Sequence, residues 1–411
     1  MKIYHLADLH LGKQIYGLSM LEDQKYWIDQ FISYCDSKRP DVILLAGDIY
    51  DRAAPSSAAV ELLDHLLSEL SKRKIETMII AGNHDSGQRL NYGKTLFAKN
   101  SIHIAGSVSS PIEHITLEDE YGPVCFWLLP YIFPDQIRLL LDDEDITNYD
   151  QAMRKLLEKQ DIDTSIRNVL IAHQNVIADG KEVEFGGSET IVGGVGQIDY
   201  SAFNKFDYVA LGHIHSNYHV GRNEVRYAGT PLCYHLDETR SKNKGFTRII
   251  LKEKGNNITI DNISLEPLHK MRSLCGTKQE IYDLLKDDAG RGEYIGIRIN
   301  DQRITPEIAS YLRNLIISRG SVLLELISTY TSRTVGSVTS ENKSDRLKPI
   351  EDLFADFYSA QYGNTPPEDD EYELMSFIGE LVRNSDSHDQ LDPKLIEKTL
   401  QKAERIKGSK Q

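Results

Sequence analysis

The stretch Val42-Ile43-Leu44-Leu45-Ala46-Gly47-Asp48-Ile49-Tyr50-Asp51 decides the fold. Its first four residues form a short apolar run bounded by Pro40 and Gly47, as expected of a strand buried on both faces. Asp48 then falls at the C-terminal end of that strand, the edge of an open α/β sheet where ligands bind. Four other strand-like runs end alike. Lys2 to Ala7 leads into Asp8-Leu9-His10, and Thr77 to Ala81 into Gly82-Asn83-His84-Asp85; Val169 to Ala172 ends at His173, and Tyr208 to Leu211 leads into Gly212-His213-Ile214-His215.

Five strands that deliver Asp, His and Asn to one edge make the pattern of a metal site. Oxygen and imidazole donors suit manganese, iron or zinc, and the lack of cysteine among them argues against a structural zinc. Seven candidate ligands exceed the needs of one ion, so a pair of ions sharing the Asp48 carboxylate is the expectation. A fold gains nothing by gathering uncompensated carboxylates and imidazoles, because buried charges require partners. The histidines at 5, 65, 103, 114, 219, 235, 269 and 388 lack such a context and are read as core or surface residues.

Outward from this frame, Ser19 to Lys38 and Ala58 to Lys74 read as amphipathic helices. The first carries Trp27, Ile28, Phe31, Ile32 and Cys35 at helical spacing, the second Leu62, Leu63, Leu66, Leu67 and Leu70. Residues 1–82 are therefore β-α-β-α-β, which implies a mostly parallel sheet. The shorter runs Ile102 to Ala105, Ile112 to Leu117 and Val124 to Leu129 suit a second sheet packed on the first. Residues 135–166 read as an acidic helical insertion and 180–200 as a glycine-rich loop, with closing strands at Tyr227 to Pro231 and Gly245 to Leu251. A small βαβ unit follows, with strands at Tyr294 to Ile299 and Val322 to Ile327 around a helix from Pro306 to Ser318. Residues 331–348 read as a linker. Two short amphipathic helices, Ile350 to Tyr362 and Leu374 to Val382, have no adjoining core in sequence and read as a docking element for a partner.

At 411 residues the chain exceeds one compact core, and 40% hydrophobic with 27% charged residues is ordinary for a soluble globular protein. The start enters a strand directly and lacks a signal-peptide pattern, and no run approaches the roughly 20 apolar residues of a membrane span. Four scattered cysteines without a CxxC pair fit reduced thiols, so the expected location is cytoplasmic. The net charge of −15 argues against a free-standing polyanion binder. Bound divalent ions would reverse that sign locally. Gly87 to Thr95 holds Gly-Lys-Thr, but five residues separate its glycines where a P-loop needs four, and Gly194-Val195-Gly196 lacks the third glycine of a dinucleotide fingerprint. No nucleotide site is expected in this chain.

Asp8-x-His10, Gly47-Asp48-x-x-Asp51, Gly82-Asn83-His84-Asp85, His173 and Gly212-His213-x-His215 resemble, motif by motif and in order, the calcineurin-like metallophosphoesterase superfamily. More narrowly, His5 to Lys13, Asp207 to His215, Tyr227 to Leu232 and Asp237-Glu238 resemble the nuclease subunits of SbcCD-type complexes. The resemblance covers residues 1 to about 275 by motif and the remainder by architecture alone.

The resemblance implies an αββα two-sheet domain over 1–268, an α/β DNA-capping domain over 269–335, and a linker with docking helices over 336–411. It implies two manganese ions, with magnesium or another divalent ion possible. Asp8, His10, Asp48 and His215 would hold one, and Asp48, Asn83, His173 and His213 the other. Such a pair stabilises the attacking and leaving oxygens of an in-line displacement. His84 would then be catalytic rather than a ligand, with Asp51 supporting it from behind.

The implied activity is cleavage of DNA, as a double-strand exonuclease and a single-strand or hairpin endonuclease, in repair, replication and recombination. The implied partner is an SbcC-type ABC ATPase, met by residues 350–382 and supplying the ATP chemistry and much of the grip on DNA. A homodimer within the complex is implied too. Lys13, Arg52, Arg89 and Lys94 lie beside the motifs and are candidates for phosphate contact. The competing reading is a metallophosphoesterase acting on small phosphodiesters or phosphoproteins, for which the capping unit and docking helices would have no use.

Overall fold

A computed structural model describes residues 1–178, 196–240, 244–287 and 292–330, with Phe354, Ala355, Tyr358, Tyr372, Met375 and Ser376 beyond them. Chain order begins with β1 (Lys2–Leu6), a small hairpin of β2 (Gln14–Ile15) and β3 (Leu18–Ser19), and α1 (Leu21–Ser37). Next come β4 (Val42–Ala46), α2 (Ser57–Lys72), β5 (Glu76–Ile80), α3 (Gly87–Leu90), α4 (Lys94–Ala98) and β6 (Ile102–Ala105). Ser56 opens α2 by accepting a hydrogen bond from the Ala59 amide, the N-cap role of serine. β1, β4, β5 and β6 run parallel, and the sheet is extended beyond β1 by two antiparallel strands from much later in the chain.

The second sheet starts with the antiparallel pair β7 (His114–Asp119) and β8 (Gly122–Leu129). After α5 (Pro134–Leu141) and α6 (Tyr149–Glu158), β9 (Arg167–His173) pairs parallel with β8. β10 (Asn175–Ile177) and β11 (Gln197–Asp199) make a separate two-stranded ladder. β12 (Tyr208–Gly212) is followed by β13 (Tyr218–Val220) and β14 (Arg222–Tyr227); β12 lies parallel between β9 and β14, and β13 closes that edge. β15 (Phe246–Ile250) and β16 (Thr259–Ile263) then return to the first sheet as its antiparallel extension.

The strand periodicity of two explains the layering. Along β4, Val42, Leu44 and Ala46 enter a core shared with Phe126, Val169, Ile171 and Ala210 of the second sheet. Ile43 and Leu45 face the opposite way, into the core that Trp27, Phe31, Leu63 and Leu66 of α1 and α2 complete. On the outer face of the second sheet Trp127, Leu170 and Val209 pack with Met153, Leu156 and Phe203. The result is the expected αββα sandwich.

β17 (Met271–Gly276), α7 (Lys278–Asp287), β18 (Tyr294–Ile299), α8 (Pro306–Ile317) and β19 (Val322–Ser328) form a third, all-parallel layer around Ile281, Leu285, Ile297, Leu312 and Ile316. It belongs to one compact unit with the sandwich, residues 1–331. The buried Asp23 of α1 accepts hydrogen bonds from the Tyr294 hydroxyl at 2.8 Å and the His269 amide at 3.2 Å.

Several expectations need correction. Ile102–Ala105 pairs with β5 and belongs to the first sheet. The late strand of the second sheet is Arg222–Tyr227, with residues 228–231 outside it. Gln197–Asp199 is a strand, although residues 179–195 of the expected loop lie outside the described residues. The small α/β unit has three strands, because Met271–Gly276 and Lys278–Asp287 precede the expected βαβ. The linker at 331–348 and nearly all of the docking segments at 350–382 lie outside the described residues.

Candidate metal centre

The candidate ligands come from both sheets. Asp8 and His10 follow β1, Asp48 follows β4, and Asn83 and His84 follow β5; His173 ends β9, and His213 and His215 follow β12. The backbone there is forced. Asp8, His10, Asp48 and His213 have φ of 54°, 43°, 48° and 103°, values that non-glycine residues adopt only under compulsion from their surroundings. The compulsion is visible: Asp8 N–H donates to the Gly47 carbonyl, and His10 N–H to the Asp48 carbonyl at 2.9 Å. Gly82 leaves room for the Asp48 loop, since a Cβ there would collide with the Asp48 carboxylate and amide.

Hydrogen bonds from behind set the imidazole tautomers. His173 Nδ1 lies 2.8 Å from the Ala46 carbonyl, which can only accept, so Nδ1 carries the hydrogen. Its Nε2 then faces Asn83 Oδ1 at 3.1 Å and Asp48 Oδ2 at 3.3 Å. His213 Nδ1 lies 3.2 Å from the same Asn83 oxygen. His215 Nδ1 is held by Glu238 Oε1 at 2.8 Å, which turns its Nε2 toward His10 Nε2, 3.1 Å away. At His173 Nε2 an acceptor therefore faces two further acceptors, the Asn83 and Asp48 oxygens. Only a cation, a proton or a metal, reconciles such an arrangement.

The electrostatics agree. Asp8, His10, Asp48, His173, His213 and His215 are buried. Burial drives the Asp8 carboxyl up to about 7, with Asp48 adding to the rise. Burial would raise Asp48 as well, but His173, His10 and His84 around it hold it far below the carboxylate range. Burial would lower His173, yet Asp48 and Asp8 lift it to about 9. Asp8 Oδ2 and His10 Nδ1 are buried without a hydrogen-bond partner. Asp8, His10 and His215 bring their ligand atoms within 4.8 Å of one another, and so do Asp8, Asp48 and His173. This donor set could hold a metal ion, and its oxygen and imidazole atoms fit manganese, iron or zinc.

His84 stands beside these residues. Its amide donates to Asp48 Oδ1 at 2.9 Å, and its Nδ1 lies 3.0 Å from the Asp51 carbonyl, which turns Nε2 away from the backbone. Asp51 pairs with Lys13 at 2.8 Å and lies 3.9 Å from His10 Nδ1. Arg52 is 76% exposed with Asp51 at 3.6 Å, Arg89 is exposed on α3, and Lys94 pairs with Glu113 at 2.7 Å. His219 is exposed on β13.

Two supports had no role assigned from sequence. Asp85 accepts from the amides of Ile49, Tyr50 and Gly82 at 2.9–3.0 Å, clamping the Asp48 loop to the Asn83-His84 loop. Glu238 orients His215 and is itself held by Lys244 at 2.6 Å. Both carboxylates sit within the family motifs, but an acidic residue on a turn has no sequence signal that separates it from a solvated one.

A buried cluster of this kind at the meeting edge of two sheets defines a metal-dependent phosphoesterase. The family model of the calcineurin-like phosphoesterases matches residues 1–217. The D subunit of the nuclease SbcCD from Staphylococcus epidermidis is 34% identical over 284 residues, covering 68% of this chain and 74% of that protein. Its namesake from Staphylococcus saprophyticus is 35% identical over 283 residues, covering 68% and 73%. The chain belongs to the calcineurin-like phosphoesterase family and, within it, to the group of the SbcCD nuclease D subunits. Among the described residues no helix is long and apolar enough to cross a membrane.

Proposed function

We propose that this chain is the manganese-dependent DNA nuclease subunit of an SbcCD-type complex, acting on duplex ends as an exonuclease and on single strands and hairpins as an endonuclease. The observation that carries the reading is the cluster of buried Asp and His, with Asn83 and Asp48 oxygens facing His173 Nε2, in a relative of SbcCD D subunits. Asp8, His10, Asp48 and His215 would hold one ion, and Asp48, Asn83, His173 and His213 a second. Bound divalent ions would supply electrostatic stabilisation of the attacking and leaving oxygens of a phosphodiester.

The chain's own groups do the rest. His84, with Nδ1 committed to the Asp51 carbonyl, presents Nε2 to hold or deliver a proton at the leaving oxygen. Its amide bond to Asp48 keeps the ring at a fixed distance from the ligands. Lys13 balances Asp51 beneath it. Exposed Arg52 and Arg89, with Lys94, would meet flanking phosphates.

The acidic balance of −15 supports a partner that supplies much of the DNA affinity, an SbcC-type ABC ATPase bound through residues 350–382. A homodimer within that complex and a cytoplasmic location complete the proposal.

The test is cleavage of labelled single-stranded, hairpin and blunt duplex DNA with manganese, comparing the chain with His84→Ala and Asp48→Ala. Loss of manganese-dependent cleavage in both variants is expected. Failure to cut any DNA, with or without an SbcC-type partner, alongside hydrolysis of small phosphodiesters would overturn the reading.

A further inference from the structure

An aromatic group beside the candidate ligands has no part in holding metal. The Tyr131 ring lies 6.2 Å from the His173 ring and 6.1 Å from that of His213, centroid to centroid. Phe133 also meets it edge-on at 4.9 Å and Tyr149 at 6.3 Å. Phe133 is 51% exposed, a large apolar ring left in water. Both mountings are rigid. The Tyr131 amide donates to the Ala81 carbonyl at 2.9 Å, immediately before Gly82-Asn83, and the Phe133 carbonyl accepts from Ile137 as α5 begins.

Phe133 and Tyr149 line a cleft of about 870 Å³, whose wall also carries Asn148, Gln151 and Gln197. Its three carboxylates are engaged: Asp150 pairs with Arg154 at 2.8 Å, Asp135 with Arg138 at 2.9 Å, and Asp199 accepts from the Ser201 amide at 3.0 Å with Arg154 at 3.8 Å. The lining thus offers π faces and amide groups without a surplus of cations. That chemistry suits an uncharged planar base rather than a phosphate. A base inside a duplex already has both faces covered, so only an unpaired one can stack on a protein ring.

We infer that Tyr131, Phe133 and Tyr149 form a stacking site for an unpaired nucleobase of single-stranded DNA, adjoining the phosphodiester at His173 and His213. This rests on the nuclease reading and deepens it. Strand ends, hairpin loops and frayed termini fit the site, and a closed duplex does not.

The test uses the full chain with manganese and single-stranded oligonucleotides that carry either a base or an abasic residue beside the cut. Phe133→Ala lowers kcat/KM on the base-containing strand by roughly 5- to 150-fold, the range for losing one base–aromatic stack. It leaves the abasic strand nearly unchanged, and Phe133→Trp restores the preference. Equal losses on both strands, or none on either, overturn the inference. A second arm omits metal and titrates oligonucleotides carrying 2-aminopurine at successive positions, whose fluorescence is quenched on stacking. Quenching by the wild type that Phe133→Ala abolishes supports the site. Absent quenching, or quenching retained in Phe133→Ala, overturns it. If no DNA is cut, the nuclease reading fails, and this second arm still decides the stacking site.

Discussion

His215 is only as well placed as Glu238, a fully buried carboxylate that fixes the tautomer of the ring and is neutralised on its other oxygen by Lys244. Glu238→Gln keeps the shape and removes the charge. It should weaken manganese affinity and DNA cleavage by roughly 10- to 100-fold, as for other carboxylates that orient metal-binding imidazoles. Calorimetric titration with manganese checks this, and an unchanged affinity would dismiss Glu238 from the centre. His5 shows the same principle without function. It lies between the sheets, with Nδ1 3.1 Å from the Tyr208 hydroxyl and Nε2 3.2 Å from the Leu211 carbonyl, and burial lowers its pKa from 6.5 to about 3 despite the carbonyl's opposing pull. Between about pH 6.5 and about 3 the unfolded chain therefore binds a proton that the folded chain refuses, and stability falls as pH falls through that window. His5→Gln keeps hydrogen-bonding groups and removes the titration. Urea unfolding of the metal-free protein at a series of pH values should show a shallower acid decline, by up to about one proton. Parallel curves for the two proteins would exclude His5 as a source of acid sensitivity.

Where elements meet, β12 approaches β4 closely across the interior. A Cβ on Gly212 would fall on the Ala46 carbonyl oxygen and 2.6 Å from His173 Nδ1, so strand and ligand would have to part. Gly212→Ala should cost about 1–3 kcal/mol, the usual penalty for overpacking a filled interior, and should release His173 from Ala46. Chemical denaturation together with the His173 ring signals in NMR tests this, and wild-type values for both would refute the close packing. Such contacts mark the limit of what the sequence made legible. β1, β4 and β5 with α1 and α2 were readable because burial on one helix stripe, or on both strand faces, leaves a periodic signature. The eight candidate residues of the centre were readable because each ends or follows such a strand. Ile102–Ala105 carries the same signature, but nothing in four apolar residues says which of two stacked sheets they join; pairing with β5 decides it. Gln197–Asp199 is too short and polar to announce a strand, and it exists only through its ladder with Asn175–Ile177. β17 was hidden because Met271–Gly276 mixes polar and apolar residues at a surface that another layer covers only in part.

For the molecule as a whole, the proposed ligands divide between the two sheets, Asp8, His10, Asp48 and Asn83 on one and His173, His213 and His215 on the other. A metal bound there would fasten the halves of the sandwich to each other. Manganese should therefore raise the thermal midpoint with concentration, contributing about 2.7 kcal/mol at a hundred times its dissociation constant. Differential scanning calorimetry across a manganese series, with a chelator control, reads this directly; a midpoint indifferent to manganese would mean that the ion does not bind at the shared edge. The same division has a consequence during synthesis. Asp8, Asp48 and Asn83 leave the ribosome long before His213 and His215, and Glu238 and Lys244 follow later still. Domains fold from the N-terminus as they emerge, yet here the earliest strands carry only half a centre. A nascent or truncated chain ending before residue 213 cannot assemble the proposed ligand set, so a fragment cut short there carries no complete cutting site.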